Sequence, residues 1–206
     1  MKINEFIKQF RNHPVLFIGA GLSLRYLHNS YTWDSLLKTV SKDFTDNNEF
    51  YLDTKSICFV NGKYDYSKIA TIIEAEFNSF LSNNRDGKFK KINDKFYIEM
   101  ESENNLSRFK IYISDLLGGM EYKEDMNNEI AELKKTRKNV GSVITTNYDG
   151  LIEDIFGFDP LIGNNILLSN PYGSVYKIHG CCSIPSKLII TEDDYIYFDK
   201  KYDLIM

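Results

Sequence analysis

Three short segments carry residues whose types and spacing can do chemistry: Gly19-Ala20-Gly21-Leu22-Ser23, Thr145-Thr146-Asn147-Tyr148-Asp149, and His179-Gly180. Glycines let a main chain come close to a phosphate and offer it backbone N–H groups. The threonine, asparagine and aspartate of the second segment supply hydroxyl, amide and carboxylate groups to a polar ligand. A histidine titrates near neutrality and can take a proton from a hydroxyl. Each segment alone also has a plainer reading. The first can be a tight strand-to-helix turn, since Leu24 stands where a third fingerprint glycine would be. Asp149 can be the cap of a following helix, and His179 a hydrogen-bonded core residue. Arg25 is a candidate positive charge near the first segment.

All three segments follow or end an expected strand, which is where open α/β sheets bind ligands. Pro14 to Ile18 is a short apolar run ending in Gly19-Ala20-Gly21, as a buried parallel strand running into a glycine-rich turn would read. Val140 to Thr146 is rich in β-branched residues, and Val175 to His179 and Leu188 to Thr191 are further strand candidates. A helix is expected from Thr32, with Trp33, Leu36, Leu37 and Val40 on one face. Ile3, Phe6, Ile7 and Phe10 mark an amphipathic helix at the start. From 47 to 139 the pattern becomes mostly helical. Stripes run over Asp65–Leu81, Leu106–Leu116 and Met126–Leu133, while Lys88–Met100 reads as a hairpin or an irregular excursion. The expectation is an α/β fold: a Rossmann-like, mostly parallel sheet with helices on both faces and a helical insertion over 47–139.

Bulk properties narrow the function classes. The chain has 206 residues and a net charge of −4, which argues against a broad nucleic-acid footprint. No apolar run approaches the ~20 residues needed to cross a bilayer, so no membrane partner is expected. Three cysteines, Cys58, Cys181 and Cys182, make no disulfide framework, and a reducing cytoplasm is the expected location. His13, His28 and the lysines Lys88, Lys90 and Lys91 read as solvated surface.

Taken together and in this order, the three segments resemble the sirtuin (silent information regulator) family, whose signature is a GAG-x-S loop, then T-x-N-x-D, then a strand ending in His-Gly. Thr32-Trp33-Asp34-Ser35-Leu36-Leu37 and Ile189-Ile190-Thr191-Glu192-Asp193-Asp194-Tyr195 are similar to segments of its bacterial defence branch. The resemblance implies that Gly19, Ala20, Gly21 and Ser23 cradle the phosphates of NAD. It implies that Asn147 positions the ribose hydroxyls and a water, that Asp149 lies near the nicotinamide carboxamide, and that His179 is the general base. Protein-deacylating members carry two separated Cys-x-x-Cys pairs after His-Gly. Here Cys181 and Cys182 are adjacent and no cysteine follows, so no zinc or other metal is expected.

The resemblance therefore implies an NAD glycohydrolase that takes NAD as substrate and releases nicotinamide and ADP-ribose. Its context would be antiphage defence, with a phage-derived or host protein as trigger and a homo-oligomeric full-length protein. Two alternatives stand beside it: an NAD-dependent protein deacylase or ADP-ribosyl transferase, and a non-catalytic sensor of NAD or ADP-ribose. One NAD-binding domain is expected over 1–206. Its sheet is expected to be incomplete at the C-terminal end, as in a fragment of a longer protein.

Overall fold

The computed structural model describes residues 13–168 and 172–203. The amphipathic helix expected at Ile3–Phe10 lies outside the described residues. The chain forms two compact units, one of residues 1–30 and 118–181, the other of residues 31–117 and 182–206. The mostly helical stretch expected over 47–139 is thus divided between them.

The first unit is built on four parallel strands, β1 (Val15–Ile18), β4 (Ser142–Thr145), β5 (Asp159–Ile162) and β6 (Ser174–Lys177), in the order β1-β4-β6-β5. Helices α1 (Gly21–Tyr26), α7 (Asn127–Lys135) and α8 (Leu151–Phe156) flank this sheet, giving the Rossmann-like α/β fold expected. The register sets Leu16 beside Val143 and Val143 beside Val175. These three residues line one face and pack with Ile130, Leu151, Ile152, Ile155 and Phe156 of the helices. Gly141 fixes how closely the strands can begin. A Cβ there would come within 2.7 Å of the His13 carbonyl oxygen, so only glycine admits that approach. α8 stops at Gly157, whose φ of 58° is the left-handed turn that ends helices.

β5 was not anticipated, because Pro160 sits inside it. The structure makes it an edge strand, a position in a sheet where proline's missing N–H is tolerated.

The second unit is helical, with a small β2–β3 hairpin (Phe59–Val60 and Lys63–Tyr64). Its helices are α2 (Trp33–Thr45), α3 (Asn48–Ile57), α4 (Tyr66–Asn83), α5 (Lys90–Glu101), α6 (Arg108–Gly118, whose last residue falls in the first unit) and α9 (Glu192–Asp203). The α2 start is a reciprocal cap, with the Ser35 N–H donating to Thr32 Oγ1 and the Thr32 N–H to Ser35 Oγ. The two long helices α2 and α4 pack together, burying Leu36, Leu37, Val40 and Phe44 of one and Ile69, Ile73 and Phe77 of the other, with Phe44 edge-on to Phe77 at 5.5 Å.

Two expectations are corrected in this unit. Lys88–Met100 is neither hairpin nor irregular, since it contains α5. Its inner face includes Asn93, which is 1% exposed, and this polar residue interrupts the apolar stripe that would have announced a helix. Asn93 Nδ2 donates to the Leu81, Asn84 and Arg85 carbonyls, and its Oδ1 accepts from Arg108 Nε at 2.7 Å.

Leu188–Thr191 is not a strand. The N–H groups of Ile190 and Thr191 donate to the Asp194 carboxylate instead of to a ladder, and Leu188 and Ile190 are buried within the helical unit.

Candidate functional site

The site lies at the carboxyl ends of β1, β4 and β6, within the first unit. β1 ends at Ile18 and turns through Gly19-Ala20 into α1. Neither Gly19 nor Gly21 has a positive φ, and among the described residues a Cβ built on either meets no atom within 4 Å. Backbone strain and internal packing therefore fail to explain these glycines. What remains is open space above the turn, which suits the close approach of a ligand to the main chain.

Facing this turn is the segment after β4. Thr145, fully buried, donates from Oγ1 to the Ile18 carbonyl at 2.8 Å and accepts the Asn147 N–H at 3.0 Å. Asn147 Nδ2 then donates to the Gly19 carbonyl at 3.1 Å and to Ser23 Oγ at 3.0 Å. Those donations fix the orientation of the amide and leave its Oδ1 as a buried acceptor with no partner among the described residues. Ser23 Oγ donates onward to Asp149 Oδ2 at 2.7 Å. Five of the anticipated residues (Gly19, Gly21, Ser23, Asn147 and Asp149) thus meet at one place, with exposed Ala20 at the tip of the turn.

The cap position of α8 falls to Gly150 and not to Asp149, but Asp149 still serves the helix start, since its Oδ1 accepts the Leu151 N–H at 3.1 Å. One carboxylate oxygen organises the helix start and the other holds Ser23.

His179 reaches the same end of the sheet by register. β4 and β6 pair with Thr145 opposite Lys177, and the Ile178 N–H donates to the Thr145 carbonyl at 3.1 Å. Asn147 and His179 therefore each lie two residues beyond that matched pair, on neighbouring strands. His179 sits in the turn after β6, which closes at Gly180 with φ of 88°. Burial pushes its imidazole below the ordinary histidine value, favouring the neutral form a base requires.

Arg25 does not serve the turn. Its guanidinium is committed to Glu129, with bonds of 2.8 and 2.7 Å. Among the described residues, no group of three or more His, Cys, Asp or Glu side chains is arranged to hold a metal ion. Nor is any helix among them long and apolar enough to cross a membrane.

Sequence reasoning missed Lys177 and Glu153. Lys177 is 0% exposed, and its ammonium donates to the Asp149 carbonyl and, at 2.8 Å, to Glu153 Oε1. Burial raises the Glu153 carboxyl above its ordinary value, although Lys177 opposes the shift. The signal was present: Lys177 shares a face with Val175 on a strand read as buried on both faces, so a charge there needed an explanation.

A SIR2-like domain model matches residues 141–205. The match begins just before β4 and takes in Asn147, Asp149, Lys177 and His179, while the Gly19 turn lies outside it. It supports the sirtuin-like resemblance for that part of the chain and, because SIR2-like domains bind NAD, an NAD-related function. No curated protein matches the chain.

Proposed function

We propose that the protein is an NAD glycohydrolase. The observation that carries this reading is the open Gly19–Gly21 turn bordered by the Ser23–Asn147–Asp149 network. It offers unobstructed main chain next to hydroxyl, amide and carboxylate groups. In the proposed reaction the bond between nicotinamide and ribose breaks, and its electron pair leaves with nicotinamide. A water oxygen bonds to the ribose carbon and gives up a proton, so the products are nicotinamide, ADP-ribose and H⁺.

Charge of oxocarbenium type develops on the ribose, as in glycoside cleavage, so the site has to position dipoles and a water more than supply a strong nucleophile. Asn147 would orient ribose hydroxyls and water, Asp149 the carboxamide, and Ser23 with Gly19, Ala20 and Gly21 the phosphates. Neutral His179 would take a ribose hydroxyl proton. Resemblance to zinc-free bacterial defence proteins supports NAD depletion in the cytoplasm on a phage-derived or host trigger.

Incubating the protein with NAD and separating the products tests this. Equal amounts of nicotinamide and ADP-ribose, formed without any acylated peptide, are expected. Turnover only when an acylated peptide is added would replace the reading with a deacylase. Binding without turnover would replace it with a sensor.

A further inference from the structure

Lys177 is the only lysine among the described residues with no exposed surface. Withdrawing an ammonium from water is costly, and its attraction to a buried carboxylate roughly offsets that cost. The pair here is not even fully satisfied, because Glu153 Oε2 is buried without a partner among the described residues. Two apolar side chains of similar volume would serve folding at least as well. A role beyond stability is visible in what the ammonium touches. Its second acceptor is the main-chain carbonyl of Asp149, in a stretch from Thr146 to Gly150 that has no strand or helix ladder to hold it. Two residues after Lys177 along the same chain comes His179.

We propose that Lys177 is a positioning residue for the site, with Glu153 as its buried counterion. By gripping the Asp149 carbonyl, it sets the main chain from which the Asp149 carboxylate reaches Ser23 and the Leu151 N–H. Through Ser23 it also sets the position of Asn147. One buried cation thereby locks the loop bearing Asn147 and Asp149 to the strand that leads to His179. The inference rests on the NAD-hydrolase reading for its catalytic consequence, though not for its structural one.

The deciding variant is Lys177→Met with Glu153→Leu, which removes both charges together. Its melting temperature should equal or exceed that of the parent, as when other buried ion pairs are replaced by apolar residues. Amide exchange at Leu151 should nonetheless accelerate. NAD turnover should fall by about 10- to 100-fold, mostly in kcat, as misplacement of positioning groups by about 1 Å does elsewhere. A merely structural pair predicts otherwise. A stable double variant with parental Leu151 protection and parental kcat would overturn the proposal.

The parent protein gives a second measurement that does not depend on the variant folding. NMR should detect scalar coupling between the Lys177 ammonium nitrogen and the Asp149 carbonyl carbon, and a freely rotating ammonium without it would also overturn the proposal. If the parent fails to turn over NAD, the hydrolase reading falls. The coupling and the Leu151 exchange still judge the positioning role.

Discussion

Replacing Asn147 with alanine should damage stability and catalysis to different and separable extents. The side chain makes two hydrogen bonds through Nδ2, at 3.1 Å to the Gly19 carbonyl and 3.0 Å to Ser23 Oγ. Its main-chain bond to Thr145 Oγ1 survives the substitution. At a net ~0.5–1.5 kcal/mol for each bond, the loss of stability is about 1–3 kcal/mol. For a chain of this size that corresponds to a fall of about 2–12 °C in Tm. Domains are typically stable by ~5–15 kcal/mol, so the variant should still be folded at 25 °C. Losing a positioned polar group at the reacting centre should cost about 10²–10³ in kcat, or ~2.7–4 kcal/mol of transition-state stabilisation. Nicotinamide release at saturating NAD and 25 °C, beside a thermal melt, measures both. A lowered Tm with kcat within about threefold of the parent would make Asn147 only a strut between β1 and β4. An unchanged Tm would refute the hydrogen-bonded clamp itself.

The pH–rate profile should lose activity on the acidic side only below 6.5, because the base must be neutral and burial lowers the His179 value from there; a midpoint above 6.5 would exclude His179. The same shift means that the unfolded chain takes up the proton first. Stability should therefore fall as pH drops from 6.5 toward the folded value, and His179→Gln should flatten that part of a melt-versus-pH curve. In the helical unit, burial works to raise the Asp194 carboxyl, but the Lys110 ammonium and the Thr191 and Ile190 N–H groups outweigh it and hold it below 3.8. Its contribution is present above that value and is lost as pH falls through the folded one. Lys110→Met should cost ~1.5–3 kcal/mol near neutrality, read by urea unfolding, and little once Asp194 is protonated. Metal analysis of the purified protein should find far less than one zinc per chain, and one tightly held zinc would contradict the reading of the cysteines.

That Gly19, Ser23, Asn147 and Asp149 would lie together was more legible in the sequence than the elements around them, for a physical reason. Gly19, Asn147, Asp149 and His179 all follow strand ends, where ligands bind in open α/β sheets and residue type is informative one position at a time. Secondary structure is read from periodicity, and periodicity fails where a tertiary partner licenses an exception. Asn93 breaks the stripe of α5 because Arg108 and three carbonyls satisfy it. Pro160 breaks β5 because the strand lies at an edge. Leu188–Thr191 is apolar enough for a strand, yet its N–H groups are taken by Asp194, four residues beyond Ile190. Lys177 shows the opposite failure, since its meaning depends on Glu153 and Asp149, and no spacing in the sequence announces that pairing.

The ends of β1 and β4 are joined by Thr145 and Ile18, 127 residues apart in the chain. Thermodynamically that distance is cheap. Compared with a crossover of about 30 residues it adds two doublings of loop length, or roughly 1.2 kcal/mol of closure entropy. In time it is expensive, because contacts of high sequence separation form late. On a ribosome adding ~5–20 residues per second, β1 would emerge many seconds before β4. During that interval the Gly19 turn has nothing to face. The site can therefore not be complete until synthesis has passed His179, and under the proposed NAD hydrolysis that delay would spare the host's NAD while the chain is being made.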